Sequence, residues 1–291
     1  MNHTSLEIFC VVAGELSITR AARLLGRVQS NITTRIQQLE EELGVALFVR
    51  ESKQLRLSAE GKQFLQYAKK LLALAEEARQ SLHPQHPAGT LRLGSMECTA
   101  ASRLAGPLVA FSKAFPDVQL TLTTQPTQQS LAAVVNAELD CALVALPRAA
   151  DGTPVCPPEL SALPLFDEAL LLLLPVSLQG IGDYSEVQGV TLATFRAGCS
   201  YRALAEQYLP APLSMQEVSS YHTMLACVAG GNAVCLLPAS VLALMQHPQS
   251  LHSLPVCNAM TWLVWRNGYS SPAFNQLRHL LSEAAKSAAR Q

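Results

Sequence analysis

The chain has 291 residues, of which 49% are hydrophobic and 15% are charged. This length exceeds the size at which one hydrophobic core usually keeps growing, so we expect at least two domains. The formal net charge of -1 excludes a chain that is basic throughout, but the charges are unevenly distributed. Residues 17–56 hold seven basic and four acidic side chains, whereas residues 91–291 hold ten and thirteen. The short basic stretch suits the phosphates of a nucleic acid.

The cysteines and the apolar runs indicate a cellular compartment. The eight cysteines include no C-x-x-C pair and no histidine at metal-ligand spacing, which is typical of buried, reduced thiols in a cytosolic protein. Near the N-terminus, Glu7 is not preceded by a basic stretch and a long apolar one, so no signal peptide is expected. The most apolar run, residues 169–175, is too short to span a bilayer. These features predict a cytoplasmic protein with no membrane partner, no metal and no cofactor.

The N-terminal region has the pattern of a helix-turn-helix. Apolar residues in the range 6–43 recur at helical spacing in three blocks, which predicts three short helices. Ser17 is a natural N-cap for the second helix, and Gly26 ends it. The connection to the third helix is therefore only a few residues long, as in a helix-turn-helix. Residues 47–57 then predict a short hairpin, which is the wing of a winged helix-turn-helix.

A longer helix is predicted from the N-cap Ser58 to about residue 82. Its apolar positions alternate at four and three residues and form a heptad seam: Phe64, Ala68, Leu71, Ala75, Ala78 and Leu82. Such a narrow seam on a linker favours pairing with a second copy of the chain, and a single amphipathic helix packed on its own domain is the alternative. Residues 83–89, with two prolines and a glycine, predict a hinge.

Beyond the hinge, short apolar segments alternate with helical ones. Strands are predicted at residues 91–94, 118–123, 141–146, 169–174, 191–195, 233–237 and 262–265. Helices are predicted at residues 100–115, 130–137, 201–208, 221–229 and 273–289. The alternation predicts an α/β fold, with a parallel or mixed sheet, helices on both of its faces, and enough length for two lobes around a cleft. Ligand sites in such sheets lie at strand carboxyl ends beside helix N-termini.

Two stretches of the N-terminal region resemble a known family. Residues 17–50 read SITRAARLLGRVQSNITTRIQQLEEELGVALFVR, and residues 57–61 read LSAEG. This long, ungapped sequence closely resembles the DNA-binding segment of LysR-type transcriptional regulators. Other segments are similar to the co-inducer domain of that family: residues 91–101, 115–116, 139–143 and 228–238. The resemblance covers nearly the whole chain. It implies a winged helix-turn-helix, a linker helix and a two-lobed α/β effector-binding domain resembling type 2 periplasmic binding proteins.

The resemblance also implies a function. It is that of a sequence-specific DNA-binding transcription regulator, not an enzyme, whose DNA binding or activation responds to a small-molecule effector. The expected domains are residues 1–58 for DNA binding, residues 59–89 for the dimerising linker helix and hinge, and residues 90–291 for effector binding. The implied partners are double-stranded DNA, a small organic acid as effector, further copies of the chain in a homodimer and homotetramer, and RNA polymerase.

The third predicted helix carries the residues expected to read DNA. If Ile32, Ile36 and Leu39 face the core, amide, hydroxyl and guanidinium groups gather on the outer face, where they can meet base edges and phosphates. The predicted DNA-binding residues are Arg20, Gln29, Ser30, Asn31, Thr33, Thr34 and Arg35, with Arg50, Lys53 and Arg56 on the hairpin. A solvated helix face and solubilising hairpin charges are the alternatives. The family most often has Ser-Arg-Gln where this chain has Thr33-Thr34-Arg35, so no operator sequence carries over.

In the family, the effector lies between two lobes against a helix N-terminus of the first lobe. The resemblance points to residues 97–100, where backbone N–H groups and the hydroxyl of Thr99 suit an anionic group such as a small acid. The predicted effector-binding residues are Cys98, Thr99, Ala100, Thr127, Ser200, Arg202 and Thr223. For Arg202, a bidentate pair with a ligand carboxylate and a salt bridge within the lobe are both open.

Redox sensing and catalysis are two other roles to consider for this chain. A peroxide-sensing branch of the family carries a reactive thiol close to Cys199, but matching Arg202 places Ser200 at that position. No second cysteine follows before Cys227, so a buried, inert thiol is favoured. No G-x-S-x-G, G-x-x-x-x-G-K or helix-opening G-x-G-x-x-G motif occurs, so no catalytic residue is predicted. An architectural DNA-binding dimer without effector sensing and an α/β enzyme assembled from distant residues stay open as alternatives.

Overall fold

The computed structural model describes residues 1–51, 54–82, 87–149, 151–211, 214–246 and 251–288. The chain forms two compact units, the first built from Met1–Pro84 and the second from most of Gln85–Gln291. Each unit has a hydrophobic core of its own. Within the described ranges, no helix is both long and apolar enough to cross a membrane.

The first unit is built from helices and one hairpin. Its elements are α1 (His3–Glu15), α2 (Ile18–Leu24), α3 (Gln29–Leu43), β1 (Phe48–Glu51), β2 (Gln54–Leu57) and α4 (Ala59–Ser81). The two predicted N-caps are confirmed, because the hydroxyl of Ser17 accepts from the N–H of Arg20 at 3.3 Å and that of Ser58 from the N–H of Gly61 at 2.8 Å. The predicted hairpin is confirmed as well, since β1 and β2 pair antiparallel.

Aromatic rings join the helices of the first unit to its hairpin. Phe9 of α1 is fully buried, and its ring centroid lies 5.5 Å from that of Phe48 on β1 and 5.1 Å from that of Phe64 on α4. Tilted aromatic pairs at this distance add about 0.5–1.5 kcal/mol each beyond the area that they bury. The α3 residues in the same core are those predicted: Ile32, Ile36 and Leu39.

The predicted heptad seam of α4 has two parts that differ in burial. Phe64 and Ala68 pack into the core of the first unit. Leu71 is 41% exposed and Leu82 is 76% exposed. The alternative interpretation, a helix packed on its own domain, is therefore right for the first part of the seam. Only the part from Leu71 onward presents its apolar side chains on the surface of the unit.

The second unit is a mixed sheet covered by helices. Its strands are β3 (Gly89–Ser95), β4 (Val118–Thr124), β5 (Cys141–Ala145), β6 (Leu160–Leu174), β7 (Thr191–Thr194), β8 (Ser214–Glu217), β9 (Ala233–Pro238) and β10 (His252–Arg266). Its helices are α5 (Glu97–Arg103), α6 (Ala105–Ala114), α7 (Thr127–Val135), α8 (Ser200–Tyr208), α9 (Tyr221–Ala229), α10 (Ala239–Leu242) and α11 (Pro272–Ala288). The strand order is β4-β3-β5-β10-β6-β9-β7-β8.

Two lobes share the long strands β6 and β10. In the first lobe β3 pairs parallel with β4 and β5, and in the second lobe β7 pairs parallel with β8 and β9. β6 and β10 pair antiparallel with each other along almost their whole length. The carboxyl end of β10 pairs with β5, and the carboxyl end of β6 pairs with β9. The chain therefore crosses between the lobes twice, and the predicted two-lobed α/β fold is confirmed.

Both faces of the sheet are covered in the first lobe. Cys141 and Leu143 of β5 belong to one buried cluster, whereas Ala142 and Val144, which alternate with them, belong to another. A strand that is buried on both faces reads as a continuous apolar run rather than as an alternating pattern, and this is how β5 was recognised in the sequence.

The crossing strands are longer than predicted. β6 and β10 have 15 residues each, but only their last residues were expected to be extended. Pro164 interrupts the apolar pattern of β6, and Pro255 does so in β10, where the register shifts between Pro255 and Cys257. The first halves of these strands are held by pairing with each other, and such long-range pairing leaves no local pattern in the sequence.

Three smaller elements also differ from the prediction. β8 was not predicted because all four of its residues are exposed, so it has no apolar pattern. The single helix expected at residues 100–115 is divided at Leu104 into α5 and α6. Pro107 lies in the first turn of α6, where its missing N–H costs no hydrogen bond, so it favours a new helix start at this point. The short α10 was not predicted.

Gly61 is a sensitive position in the first unit. A Cβ atom at this residue would lie 2.0 Å from the backbone oxygen of Leu47, which itself accepts from the N–H of Ser58 at 3.0 Å. We expect Gly61→Ala to lower the free energy of unfolding of this unit by about 2 kcal/mol or more. Gly14→Ala on α1 is the matched control, because nothing lies within 4 Å of its added Cβ. Thermal melting measures both, and equal melting temperatures would contradict the predicted clash.

The exposed part of the α4 seam predicts how copies of the chain associate. We expect Leu71→Asp to lower the molar mass in solution, since it puts a charge on the seam that would face the second copy. Leu244→Asp is the control, because Leu244 is also an exposed leucine, 61% accessible, outside the seam. Light scattering measures the mass. An unchanged mass for Leu71→Asp would rule out pairing through this helix.

Candidate nucleic-acid interface and ligand cavity

The outer face of α3 carries polar side chains of the kinds predicted to read DNA. Five of the predicted contacts are exposed: Gln29, Ser30, Asn31, Thr33 and Thr34. Arg35 is half-buried. By helical spacing, Ser30 and Thr34 lie opposite the buried Ile32 and Ile36, and the other predicted contacts flank that face.

Hydrogen bonds engage two residues of this face. The side chain of Gln29 donates to the hydroxyl of Thr19 on α2, which fixes the start of α3 against α2. The hydroxyl of Thr33 donates to the carbonyl of Gln29 at 3.0 Å, within α3 itself. In the described part of the chain, Thr34 and Arg35 make no side-chain hydrogen bond or ion pair. Their donors are therefore available to a partner.

The start of the hairpin is fixed by a residue that the sequence did not single out. Oε1 of Glu40 on α3 accepts from the N–H of Leu47 at 2.7 Å and from the N–H of Phe48 at 3.0 Å. Hydrogen bonds to an ionised acceptor are the stronger kind, so this carboxylate holds the hairpin against α3. The hairpin carries Arg50, which is exposed, whereas Lys53 lies outside the described residues.

Two of the predicted DNA contacts are paired with carboxylates. The Nε of Arg20 donates to Glu15 at 2.9 Å, and Arg56 lies 3.4 Å from Glu51. Both arginine side chains are about 60% exposed. Exposed ion pairs of this kind contribute about 0–1 kcal/mol, so a phosphate can replace either carboxylate at small cost.

A cavity of about 700 Å³ lies between the two lobes of the second unit. It is at the carboxyl ends of β3, β4, β7 and β8, and each of these strands is followed by a helix. The first residues of α7, α8 and α9 line it. A helix N-terminus presents N–H groups without a partner in the helix and the positive end of the helix dipole. This cavity therefore favours a ligand with an anionic group.

The predicted effector contacts divide into two groups. Those that line the cavity are Cys98, Thr127, Ser200 and Thr223. Those that do not are Thr99, Ala100 and Arg202. Thr99 is only 1% exposed, and its hydroxyl lies 3.7 Å from the thiol of Cys98. Ala100 packs against the core of the first lobe.

Arg202 forms salt bridges within its own lobe, which was one of the two interpretations left open by the sequence. Its Nε donates to Glu206 at 2.9 Å, and its Nη1 donates to Glu217 at 2.5 Å. Hydrogen bonds to these two carboxylates raise the pKa of the Arg202 guanidinium. Because Glu217 lines the cavity, Arg202 neutralises a negative charge at the cavity wall from behind.

Thr127 is the first residue of α7 and is 4% exposed. Its hydroxyl is buried and finds no hydrogen-bond partner among the described residues. Leaving a buried hydroxyl unsatisfied costs about 1–3 kcal/mol. A partner atom that reached this hydroxyl would recover that cost.

Two other predicted hydroxyls have partners in the protein. The hydroxyl of Ser200 donates to the carbonyl of Ala145 at 2.7 Å, which joins the second lobe to the first. The hydroxyl of Thr223 lies 2.9 Å from that of Ser220, which caps α9 by accepting from the N–H of Thr223. Thr223 therefore serves its own helix start, and its hydroxyl remains exposed to the cavity.

Glu97 and Arg196 bring opposite charges to the cavity wall. Glu97 is half-buried and forms no ion pair within the described part of the chain. Burial raises the pKa of its carboxyl, and His222 partly lowers it. Arg196 donates to the amide oxygen of Gln129 at 3.0 Å, which is a neutral acceptor. Both side chains therefore lack an oppositely charged side chain within ion-pair distance among the described residues.

The thiols and phenols of the cavity are held in their neutral forms. Burial raises the pKa of Cys98 to about 11, and its thiol lies 3.7 Å from the hydroxyl of Tyr201. Burial also raises the pKa of Cys199 and holds that of Tyr221 well above its usual range. A thiol with a raised pKa is a poor nucleophile, which favours the interpretation of Cys199 as inert.

A backbone hydrogen bond crosses the cavity between α7 and the segment before α8. The N–H of Gln128 on α7 lies 3.5 Å from the carbonyl of Gly198, in the segment before α8. Gly198 has a φ of +92°, and a Cβ there would lie 3.2 Å from the side-chain oxygen of Gln128. Glycine therefore allows the second lobe to approach α7 closely at this point.

Sequence reasoning missed several lining residues. Phe195 and Arg196 follow β7, and because this strand was predicted, its carboxyl end was the signal that could have identified them. The lining residues 216–219 come from the end of β8 and the turn after it. No signal identified them, because β8 has no apolar pattern. Within the described ranges, no group of three or more His, Cys, Asp or Glu residues is placed to hold a metal ion.

Comparison with known proteins assigns both units. The family model described as "Bacterial regulatory helix-turn-helix protein, lysR family" matches residues 3–62. The model described as "LysR substrate binding domain" matches residues 84–286. The chain is also 36% identical over 248 residues to the HTH-type transcriptional regulator GltR of Bacillus subtilis, a match that covers 84% of this chain and 81% of that protein.

Solved structures have the same fold. A full-length OxyR variant from Pseudomonas aeruginosa superposes with a TM-score of 0.76 at 22% identity, covering 98% of this chain and 95% of that one. Full-length CbnR, crystallised with its target DNA, superposes with a TM-score of 0.67 at 21% identity, covering 98% of this chain and 100% of that one. With both family models and a curated relative in agreement, this chain belongs to the LysR family of bacterial helix-turn-helix transcriptional regulators.

Proposed function

We propose that this regulator binds double-stranded DNA through α3 and the hairpin, and that a small organic acid in the cavity of the second unit modulates this binding. The observation that carries the proposal is the cavity itself, where helix N-termini and the hydroxyl of Thr127, which has no partner among the described residues, favour an anionic group. The DNA-binding half is supported by the polar face of α3 and by CbnR, a structural relative crystallised with its target DNA.

The assembly, boundaries and location belong to the same proposal. The DNA-binding domain is residues 1–58, the linker helix and hinge are residues 59–89, and the effector domain is residues 90–291. Pairing through the exposed part of α4 gives a homodimer, and two dimers give a homotetramer that contacts RNA polymerase on DNA. The protein acts in the cytoplasm, where its target DNA lies and where its scattered cysteines stay reduced.

Binding rather than catalysis fits the chemistry of the cavity. A nucleophilic enzyme needs a hydroxyl or thiol within hydrogen-bond reach of a base. Ser200 instead donates to a backbone carbonyl, and no histidine lines the cavity in the described part of the chain. The pKa values of Cys98 and Cys199 are raised, not lowered. We therefore propose that the protein is not an enzyme.

DNA reading through α3 is tested with single substitutions. We expect Arg35→Ala to weaken binding to the cognate operator by about 1–3 kcal/mol and to weaken binding to random DNA much less, because a lost base contact removes discrimination. Arg50→Ala, which removes a phosphate contact, should weaken both about equally. Lys113→Ala on α6 is the control for loss of a positive charge. Equal losses on both DNAs for Arg35→Ala would show that α3 is not the reading helix.

Effector sensing is tested by titrating candidate small acids while melting temperature and operator affinity are followed. Thr127→Val removes the unsatisfied hydroxyl and keeps the shape of the side chain. We expect it to raise the melting temperature of the ligand-free protein by about 2 °C or more and to weaken acid binding about tenfold. Thr90→Val, at an exposed position on β3, is the control.

Two outcomes of that titration would contradict the proposal. If no acid or other metabolite shifts either quantity, the second unit serves assembly alone, and the protein is an architectural DNA-binding dimer. If an acid binds equally well to the Thr127→Val variant and to the wild type, the acid does not contact the start of α7.

A further inference from the structure

We propose that the effector is an amino acid, bound as a zwitterion with its carboxylate near Thr127 and Arg196 and its ammonium group at Glu97. This inference rests on the proposed function, since it names the chemical class of the acid that the cavity binds. It depends on the charges that remain at the cavity wall after the ion pairs of the protein have been taken into account.

The carboxylate side of the cavity combines three features. α7 and α8 begin there, so the positive ends of two helix dipoles are directed at the cavity. The hydroxyl of Thr127 lacks a partner among the described residues. The guanidinium of Arg196 is bonded to the neutral amide of Gln129, and a carboxylate is a stronger acceptor for it than an amide. A ligand carboxylate therefore gains a charge-assisted bond at Arg196 and satisfies Thr127.

A simple acid leaves one feature of the cavity unexplained, which is the carboxylate of Glu97. The other lining carboxylate, Glu217, is bonded to Arg202 at 2.5 Å, but Glu97 has no such partner among the described residues. Glu97 comes from the first lobe, and His222, which partly lowers the pKa of its carboxyl, belongs to the second lobe. Because Glu97 lines the cavity, its carboxylate would repel an acid that carries only negative charge.

An ammonium group on the ligand removes this repulsion. A half-buried carboxylate without a cation is unfavourable, because burial penalises its charged form. A ligand ammonium supplies three N–H donors and a positive charge to it. The half-buried ring of Phe195, which also lines the cavity and packs edge-on against Tyr221 at 5.0 Å, provides an apolar wall for the rest of the ligand.

A purely structural role of Glu97, as a residue that stabilises its own helix, predicts a different experimental result. An acidic residue in the first turn of a helix stabilises that helix through the dipole, and Glu97 holds this position in α5. If that is its whole role, replacing it changes stability but not the choice between ligands. The test therefore measures a ratio of affinities, which a change in stability alone does not alter.

The experiment uses the full-length protein, the twenty standard L-amino acids and matched acids that lack the amino group. Suitable pairs are glutamate with glutarate, leucine with 4-methylpentanoate, and phenylalanine with 3-phenylpropanoate. Calorimetry gives the affinity of each probe. We expect at least one amino acid to bind about tenfold or more tightly than its matched acid, which corresponds to about 1.4 kcal/mol. In Glu97→Gln this ratio should fall to near one, with the matched acid binding as well as before or better.

Two further variants locate the effect. Arg196→Gln should weaken the amino acid and its matched acid by the same factor, because both carry the carboxylate. Glu186→Gln, an exposed position away from the cavity, should leave both affinities unchanged. An unchanged ratio in Glu97→Gln, or the absence of binding by all twenty amino acids, would overturn the inference. Binding of acids without preference for the amino group would also overturn it, and the proposed acid sensor would still stand.

Discussion

The antiparallel pairing of β6 with β10 is the constraint on which the second unit depends. These strands are paired from Leu160 to Leu174 and cross from one lobe to the other. Because β5 pairs with one end of the ladder and β9 with the other, the carboxyl ends of the parallel strands in both lobes are directed at the same space. The cavity and the helix N-termini around it follow from that arrangement.

A buried carboxylate lies where the crossing strand passes between the lobes. Glu168 of β6 is 3% exposed, and it accepts from Arg103 of α5 at 2.6 Å and from Ser240 of α10 at 2.7 Å. Removing one member of a buried ion pair leaves an uncompensated charge. Glu168 therefore depends on Arg103 from the first lobe, and it is also bonded to Ser240 from the second lobe. This network connects the helix that begins at the cavity to the strands that hold the lobes together.

The sequence predicted the first unit better than the second, and the reason is the range of the interactions. Ser17 and Ser58 cap helices through bonds to residues three positions later, and Ile32, Ile36 and Leu39 show their burial by spacing alone. In the second unit, by contrast, Arg202 was identified by type, but its partner Glu217 comes from an exposed strand that has no apolar pattern. Local patterns identify elements, whereas partners across a cavity depend on topology.

The few bonds that cross the cavity set the size of the effect that a ligand must have. The lobes meet there through Gln128 with Gly198, Ser200 with Ala145, and Arg196 with Gln129. Each such bond contributes only about 0.5–1.5 kcal/mol net, which is comparable to what one ligand contact adds. A ligand shifts a conformational equilibrium only by its difference in affinity for the two conformations. One that bonds at once to Thr127 on one lobe and to Arg196 on the other would have that difference, because both contacts can be made together only when the lobes are close.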